Sequence, residues 1–250
     1  MNMKHAIVVG ASSGLGRGVV LALQKAGYGV SGLARRRSVE ADAWFAADAL
    51  EDGSVERAIS GAVGASGPPR ALVYSAGLPA MGRTLDVPRD VARRAFEVNL
   101  WGFDAAVRAV LPVMLQRGTG TIVYVSSIAG LRPLIYEAYY AASKAAAVRL
   151  ASCLDRETRA RGVRVKSLHV GFVDTGFFER GGWHGMEAPP VSGSGITASD
   201  VGREVLRLIE RDPAGERLLG WRENVIALSD RLAPGLYDRW VRLRAKQGIG

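Results

Sequence analysis

Residues 6–16 read Ala-Ile-Val-Val-Gly10-Ala-Ser-Ser-Gly14-Leu-Gly16. A short apolar run enters a cluster of glycines. Helix-length amphipathic sequence follows from Leu15 to Ala26, where Gly27 ends it. Strand, glycine turn and helix open a βαβ unit. Glycines let the chain turn sharply and bring main-chain N–H groups close to an anion, and the helix N-terminus favours negative charge. The spacing differs from Gly-x-Gly-x-x-Gly, but its mechanics are similar. Gly10, Ser12, Ser13, Gly14, Leu15 and Gly16 are therefore candidate contacts to a pyrophosphate; the alternative is a simple tight turn.

The alternation continues outward. Gly29–Leu33, Trp44–Ala46 and Ala71–Tyr74 read as strands, with a helix at Ser54–Val63. Pro88–Gln116 is a long helical stretch in which Pro112 predicts a kink. Gly120–Val125, a helix over Glu137–Arg161 and Val163–Leu168 follow, then a helix over Ala198–Glu210 and a weak last strand over Asn224–Leu228. Leu232, Leu236, Tyr237, Trp240, Val241 and Leu243 give the tail a helical apolar stripe. Short apolar runs alternating with helices predict an α/β fold. We expect a Rossmann-like doubly wound parallel sheet in three α/β/α layers, as a single domain over residues 1–250. The glycine-rich stretch after Gly171 breaks the pattern. Its part 176–199, with Phe177, Phe178, Trp183 and Met186, is expected to be a structureless substrate loop that closes over an apolar or aromatic pocket.

Composition narrows the functional classes. Hydrophobic residues make up 48% and charged residues 23% of the 250 residues, which excludes a disordered or fibrous chain. The apolar runs fall short of the roughly 18 residues that a membrane span needs. The first of them is too short for a secretory signal, so a cytoplasmic protein without a membrane span is expected. Cys153 is the only cysteine, which rules out an internal disulfide. The net charge is +9, with Arg supplying 28 of the 33 basic residues. These are spread along the chain among Asp and Glu with no basic block, so no nucleic-acid partner is expected.

Strand two runs into Leu33-Ala34-Arg35-Arg36-Arg37. In dinucleotide folds this end lies beside the adenosine ribose, where an acid suits NAD and an arginine suits the 2′-phosphate of NADP. Here no acid is present. Arg35, with Arg36 as second candidate, points to NADPH as the preferred cofactor and leaves NAD as the alternative. The other reading is a run of solvated loop arginines.

Ser126-Ser127-Ile-Ala-Gly130 precedes Tyr140-Ala-Ala-Ser-Lys144. Tyr140 and Lys144 are four apart, on one helix face. An ammonium there favours tyrosinate, predicting a phenol pKa lowered toward neutrality and usable for proton transfer. Ser127, at a strand end, can hydrogen-bond the same substrate oxygen. Tyr139 has the wrong phase for Lys144 and should face elsewhere.

Four elements now stand in order: the Gly10/Gly14/Gly16 loop, Asn99 within Val-Asn-Leu, Ser127 thirteen residues before Tyr140, and Lys144. Over residues 4–176 they resemble the compact branch of the short-chain dehydrogenase/reductase family. The resemblance implies a nicotinamide-dependent oxidoreductase acting on a small-molecule carbonyl or alcohol. It implies that Asn99 joins Ser127, Tyr140 and Lys144 in a tetrad and holds a proton-relay water. It also implies that Asp48 contacts adenine, that Ala76, Gly77, Val173 and Thr175 contact the cofactor, and that the chain forms a homodimer or homotetramer. Val9, Ser75 and Val170 depart from the family pattern, where Thr, Asn and Pro are usual. The C-terminal sequence resembles the branch acting on lipophilic carbonyls. His169, beside this region, reads as a packed strand-end histidine. An NAD-linked alcohol dehydrogenase and a non-catalytic dinucleotide-binding sensor are the competing readings. A sugar-nucleotide epimerase also uses Tyr-x-x-x-Lys, but this chain is too short for that group's second domain.

Overall fold

Five of the six residues of β1 (Lys4–Val9) are buried, as is every residue of β2 (Tyr28–Ala34) and β4 (Ala71–Tyr74). Strands apolar on both faces need cover on both faces, which is the condition of a parallel sheet flanked by helices. The computed structural model, which describes residues 4–37, 40–173, 175–177, 182–188, 195–211, 215–220 and 235, meets that condition. With β3 (Ala43–Ala46), β6 (Gly120–Ser127), β7 (Val163–Val170) and β9 (Glu216–Leu219), these strands form one seven-stranded sheet in the order β3-β2-β1-β4-β6-β7-β9. Every pairing is parallel. The strand order reverses between β1 and β4, so a crevice opens at their carboxyl ends.

Alternation along each strand divides the core in two. Ile7, Leu33, Leu72 and Ile122 face α2 (Ser54–Ser66), α4 (Gly102–Arg117) and α5 (Ala138–Thr158). Val8, Val30, Val73 and Val123 face α1 (Gly14–Lys25) and α6 (Ala198–Arg211). The three-layer arrangement expected from the sequence is the one observed.

Two local expectations change. Among the described residues the edge strand beyond β7 is β9, with Val170 opposite Leu219, a strand the sequence did not mark. Its sequence, Glu-Arg-Leu-Leu, is half-charged and half-exposed, so it carries little apolar signal. Residues 224–228 and the apolar stripe from Leu232 to Leu243 lie outside the described residues. The long helical stretch is irregular not at Pro112, which lies within α4, but earlier. There α3 (Arg89–Phe96) passes through a π-helical turn at Glu97–Trp101 before α4 begins. Arg89–Arg117 is long and apolar enough to cross a membrane by length and composition alone. Its buried side, with Ala106, Val110 and Met114, is spent on the sheet.

On the other face, α1 and α6 approach backbone to backbone. A Cβ on Gly202 would lie 2.3 Å from the Gly18 carbonyl oxygen, and one on Gly18 would lie 2.2 Å from that of Ala198. Neither contact can relax by moving a flexible side chain. Gly202→Val should therefore destabilise the protein by at least the ~1–3 kcal/mol typical of overpacking. Urea denaturation of the variant checks this, and a midpoint equal to that of the wild type contradicts it.

Candidate active site

The glycine loop leaves β1 at the sheet's carboxyl edge. Gly10 N donates to Leu33 O at 2.8 Å, which ties the turn to β2. A Cβ on Gly10 would lie 2.6 Å from Ala76 N, and one on Gly16 would lie 2.1 Å from Gly10 O. The two glycines thus let the loop, the start of α1 and the end of β4 close on one another. No side chain caps α1 at Ser13, and its first turn holds no acid. The free N–H groups there are a ready anion site.

One cleft runs from this turn in both directions. It is lined by Gly10, Ser12, Ser13, Gly14, Leu15, Arg35, Arg36, Asp48, Ala76, Gly77, Val173 and Thr175, and by Ser127, Tyr140 and Lys144. Gly16 and Asn99 do not line it; they shape it from behind. Arg35 and Arg36 are exposed and have no carboxylate partner among the described residues. Asp48 Oδ1 accepts from Leu50 N at 3.0 Å, while Asp48 N donates to Ser54 Oγ at 3.1 Å. Asp48 therefore builds the turn into α2 as well as the cleft wall. Ala47, Leu50 and Val55 also line this end, although no sequence pattern marked them. The uncapped N-terminus, the unpaired arginines and the glycine-bare wall fit a phosphorylated dinucleotide.

At the opposite end Tyr140 is buried and hydrogen-bonded to Ser127, whose Oγ also accepts from Ala129 N at 3.2 Å. Lys144, one turn along α5 and equally buried, donates from Nζ to Val125 O at 3.2 Å. Its ammonium sits 4.8 Å from the Tyr124 ring centroid and 5.8 Å from that of Tyr140. Burial holds the Lys144 pKa down at about 7. Burial, with the Glu137 carboxylate adding to it, raises the Tyr140 phenol above its ordinary value against the pull of Ser127. The expectation that Lys144 lowers the phenol pKa is therefore not met in the cofactor-free protein. Desolvation of the phenol is the dominant cause.

Asn99 lies in the π turn and is fully buried. Its Oδ1 accepts from Leu78 N at 2.8 Å, and its Nδ2 donates to Leu78 O at 3.0 Å and Ser143 Oγ at 2.9 Å. The turn's main-chain carbonyls are caught from the sheet: Tyr74 donates to Val98 O at 2.6 Å and Tyr124 to Asn99 O at 2.9 Å. Sequence reasoning missed both tyrosines. The available signal was a phenol in the middle of an apolar strand, which needs a hydrogen-bond acceptor when buried.

An apolar wall stands over Tyr140, made by Met81, Ala129, Leu134, Phe177 and Trp183. The Phe177 ring centroid is 5.9 Å from that of Tyr140. The described part of the stretch after Gly176 is less structureless than its glycines suggest. Trp183–His184 (β8) pairs in parallel with Met81–Gly82 (β5), and Gly82 N donates to Tyr136 O at 2.8 Å. Met186 is half-buried on the same segment, and Phe178 lies outside the described residues. Tyr139 faces away, against Ala80, Val87, Ala92 and Ala95.

Comparison with known proteins agrees with this geometry. The family described as short chain dehydrogenase matches residues 4–181. The chain belongs to that family. Its members are NAD(P)-dependent oxidoreductases. A short chain dehydrogenase of Pseudocercospora fijiensis is 33% identical over 186 residues, which cover 69% of this chain and 60% of the relative, so the chain spans well under two thirds of it. A putative ketoacyl reductase of Streptomyces coelicolor is 32% identical, over 68% of this chain and 70% of its own. A solved short chain dehydrogenase of Burkholderia cenocepacia superposes with a TM-score of 0.80 at 27% identity, over 98% of this chain and 97% of that one.

The departures from the family pattern have local accounts. Val9 joins the apolar core, and Ser75 N donates to Val9 O at 2.9 Å, so main chain alone continues the β1–β4 contact. Ser75 Oγ is buried with no hydrogen-bond partner among the described residues. His169 is buried outside the cleft, its Nε2 3.6 Å from Glu216 Oε2 on β9, which is the packed strand-end position expected.

The lowered Lys144 pKa has a consequence for stability. Between about pH 7 and 10.5 the unfolded chain holds a proton that the folded lysine has lost, so this group makes stability rise with pH in that window. Below it the charged, desolvated lysine carries its full cost. In the cofactor-free protein Lys144→Met should therefore be more favourable to melting temperature, relative to wild type, at pH 6 than at pH 9. A difference between the two proteins that does not change with pH would show that Lys144 titrates normally.

Proposed function

We propose that the protein is an NADPH-dependent reductase that interconverts a ketone or aldehyde with its alcohol, in a single dinucleotide-binding domain whose residues 176–199 form the substrate loop. The observation that carries this reading is the cleft itself. Ser127, Tyr140 and Lys144 converge at one end, and Arg35 and Arg36, without a carboxylate partner among the described residues, stand at the other. The Streptomyces relative is named a ketoacyl reductase, and the Burkholderia neighbour was solved in complex with NADP; both agree with this reading.

In this reading the N-terminus of α1 and the loop from Gly10 to Gly14 hold the pyrophosphate. Arg35 and Arg36 take the 2′-phosphate, Asp48 borders adenine, and Val173 and Thr175 border the nicotinamide. The bound dinucleotide supplies the hydride. Ser127 donates to the carbonyl oxygen and polarises it, and Tyr140 delivers the proton to that oxygen. The raised phenol pKa keeps Tyr140 protonated until substrate is polarised against it, which suits a proton donor. Lys144, beside the ring, stabilises the phenolate left behind. Asn99 holds the π turn against Ser143, whose Oγ donates to Tyr140 O at 2.7 Å, so it supports the proton path through the helix that carries Tyr140. Met81, Leu134, Phe177 and Trp183 favour an apolar or aromatic substituent on the carbonyl.

Tyr140→Phe should keep NADPH binding and lose about 10²–10⁴-fold in turnover, the range for loss of a general acid. Steady-state rates over a panel of aryl and alkyl ketones test this, and near-normal turnover removes Tyr140 from the mechanism.

A charged hydrogen bond contributes roughly 1.5–3 kcal/mol, on the order of 10–100-fold in affinity. Arg35→Ala should weaken NADPH by about that factor and leave NADH nearly unchanged, with Arg36→Ala the smaller effect. Fluorescence titration of both cofactors decides it. A wild type that binds NADH as tightly as NADPH would sink the assignment.

A further inference from the structure

The arginines at the end of β2 sit on a connection that ends in an unusual residue. β3 is an edge strand, and Trp44 on it is 37% exposed. A ring so placed gains only part of its burial energy. What distinguishes it from phenylalanine is the indole N–H, and that group has two partners. Nε1 donates to Ala34 O at 3.2 Å and to Arg36 O at 3.1 Å. The two carbonyls lie on either side of Arg35, so one shared donor fixes the backbone both before and after it.

The returning arm of the connection is fastened independently. Val30 N donates to Asp42 Oδ2 at 2.7 Å, Gln24 Nε2 donates to Glu40 O at 2.7 Å and to Asp42 Oδ1 at 3.0 Å, and Arg17 pairs with Glu40 at 2.6 Å. Those contacts hold residues 40–42 on α1 and β2. Among the described residues, only Trp44 reaches back by a side chain to the Arg35–Arg36 backbone. Arg35 and Arg36 line the cleft on long side chains with no side-chain partner among the described residues, so the direction of each depends on its main chain.

We propose that Trp44 is a positioning residue for cofactor discrimination: its N–H presets the Arg35–Arg36 turn so that both guanidinium groups meet a 2′-phosphate. This rests on the NADPH reading above. A ligand lacking that phosphate does not use the arginines and does not sense the turn. Preorganisation of this kind lowers the ordering cost of binding rather than adding a contact.

The experiment is a titration of NADPH and NADH against wild type, Trp44→Phe, the Arg35→Ala/Arg36→Ala double variant and the triple variant. The phenyl ring keeps the edge packing, and the NADH affinity of each protein reports that it is folded. Trp44→Phe should weaken NADPH by about 2- to 10-fold, the worth of one neutral hydrogen bond, with NADH changed by less than about twofold. Adding Trp44→Phe to the double variant should cost NADPH nothing further, because its effect passes through the arginines. Equal weakening of both cofactors, an unchanged NADPH affinity, or a full additional loss in the triple variant would each overturn the proposal. If the double variant itself keeps wild-type NADPH affinity, the arginine assignment has failed. If that variant loses NADPH and Trp44→Phe is silent, only the role of Trp44 has failed.

Discussion

A lysine is buried here with no carboxylate beside it among the described residues, and much of the site follows from that. Lys144 is 4% exposed. Its ammonium has a carbonyl, Val125 O, and two aromatic faces for company. Dipoles and ring quadrupoles stabilise a cation weakly next to a full charge, so the lysine stays poised between its forms near neutral pH. A carboxylate in contact with it would have favoured its charged form. The neutral surroundings keep Lys144 responsive to charge that appears on the phenol.

Keeping those surroundings neutral and rigid falls to the π turn. One extra residue in the helix between α3 and α4 takes carbonyls off the regular ladder. Two hydroxyls on adjacent strands, Tyr74 and Tyr124, receive them. Their rings stack at 6.1 Å and pack on Phe103 at 5.7 and 4.7 Å. Tyr124 is thus shared: its hydroxyl holds Asn99 and its ring faces Lys144. Through Ser143 the same asparagine is joined to α5, which carries Tyr140. The π turn, the sheet and α5 are thus linked by hydrogen bonds between uncharged groups.

What was legible in the sequence divides along the same physical line. Gly10, Gly14, Tyr140 and Lys144 declare themselves because backbone conformation or helical phase ties their chemistry to fixed spacing. Apolar runs buried on both faces gave the sheet for the same reason. Tyr74, Tyr124 and Trp44 did not declare themselves, because each acts on a carbonyl supplied by another element, and spacing along the chain says nothing of that partner. The π turn was hidden likewise: its sequence, Glu-Val-Asn-Leu-Trp, is ordinary helix, and only the asparagine hints at a break. β9 was passed over because an edge strand needs less apolar surface than a central one. The direction of the Tyr140 pKa was misjudged because spacing reveals a neighbour's charge but not how dry the pair is.

The cleft joins two environments that suit opposite halves of a dinucleotide reaction. At one end are exposed cations and an uncapped helix terminus, where water screens charge and binding can be reversible. At the other, Met81, Leu134, Phe177 and Trp183 pack against the buried phenol of Tyr140. An ion of either sign is costly there unless its partner forms with it. In the proposed reaction a neutral carbonyl enters this end cheaply, and the negative charge that hydride addition places on its oxygen is met by Ser127 and Tyr140. The parallel pairing of β5 with β8 matters for this reason. It places Met81 beside Trp183 at fixed register, so the dry wall is part of the sheet-like scaffold before substrate arrives, and the desolvation that perturbs Tyr140 and Lys144 is a property of the resting protein.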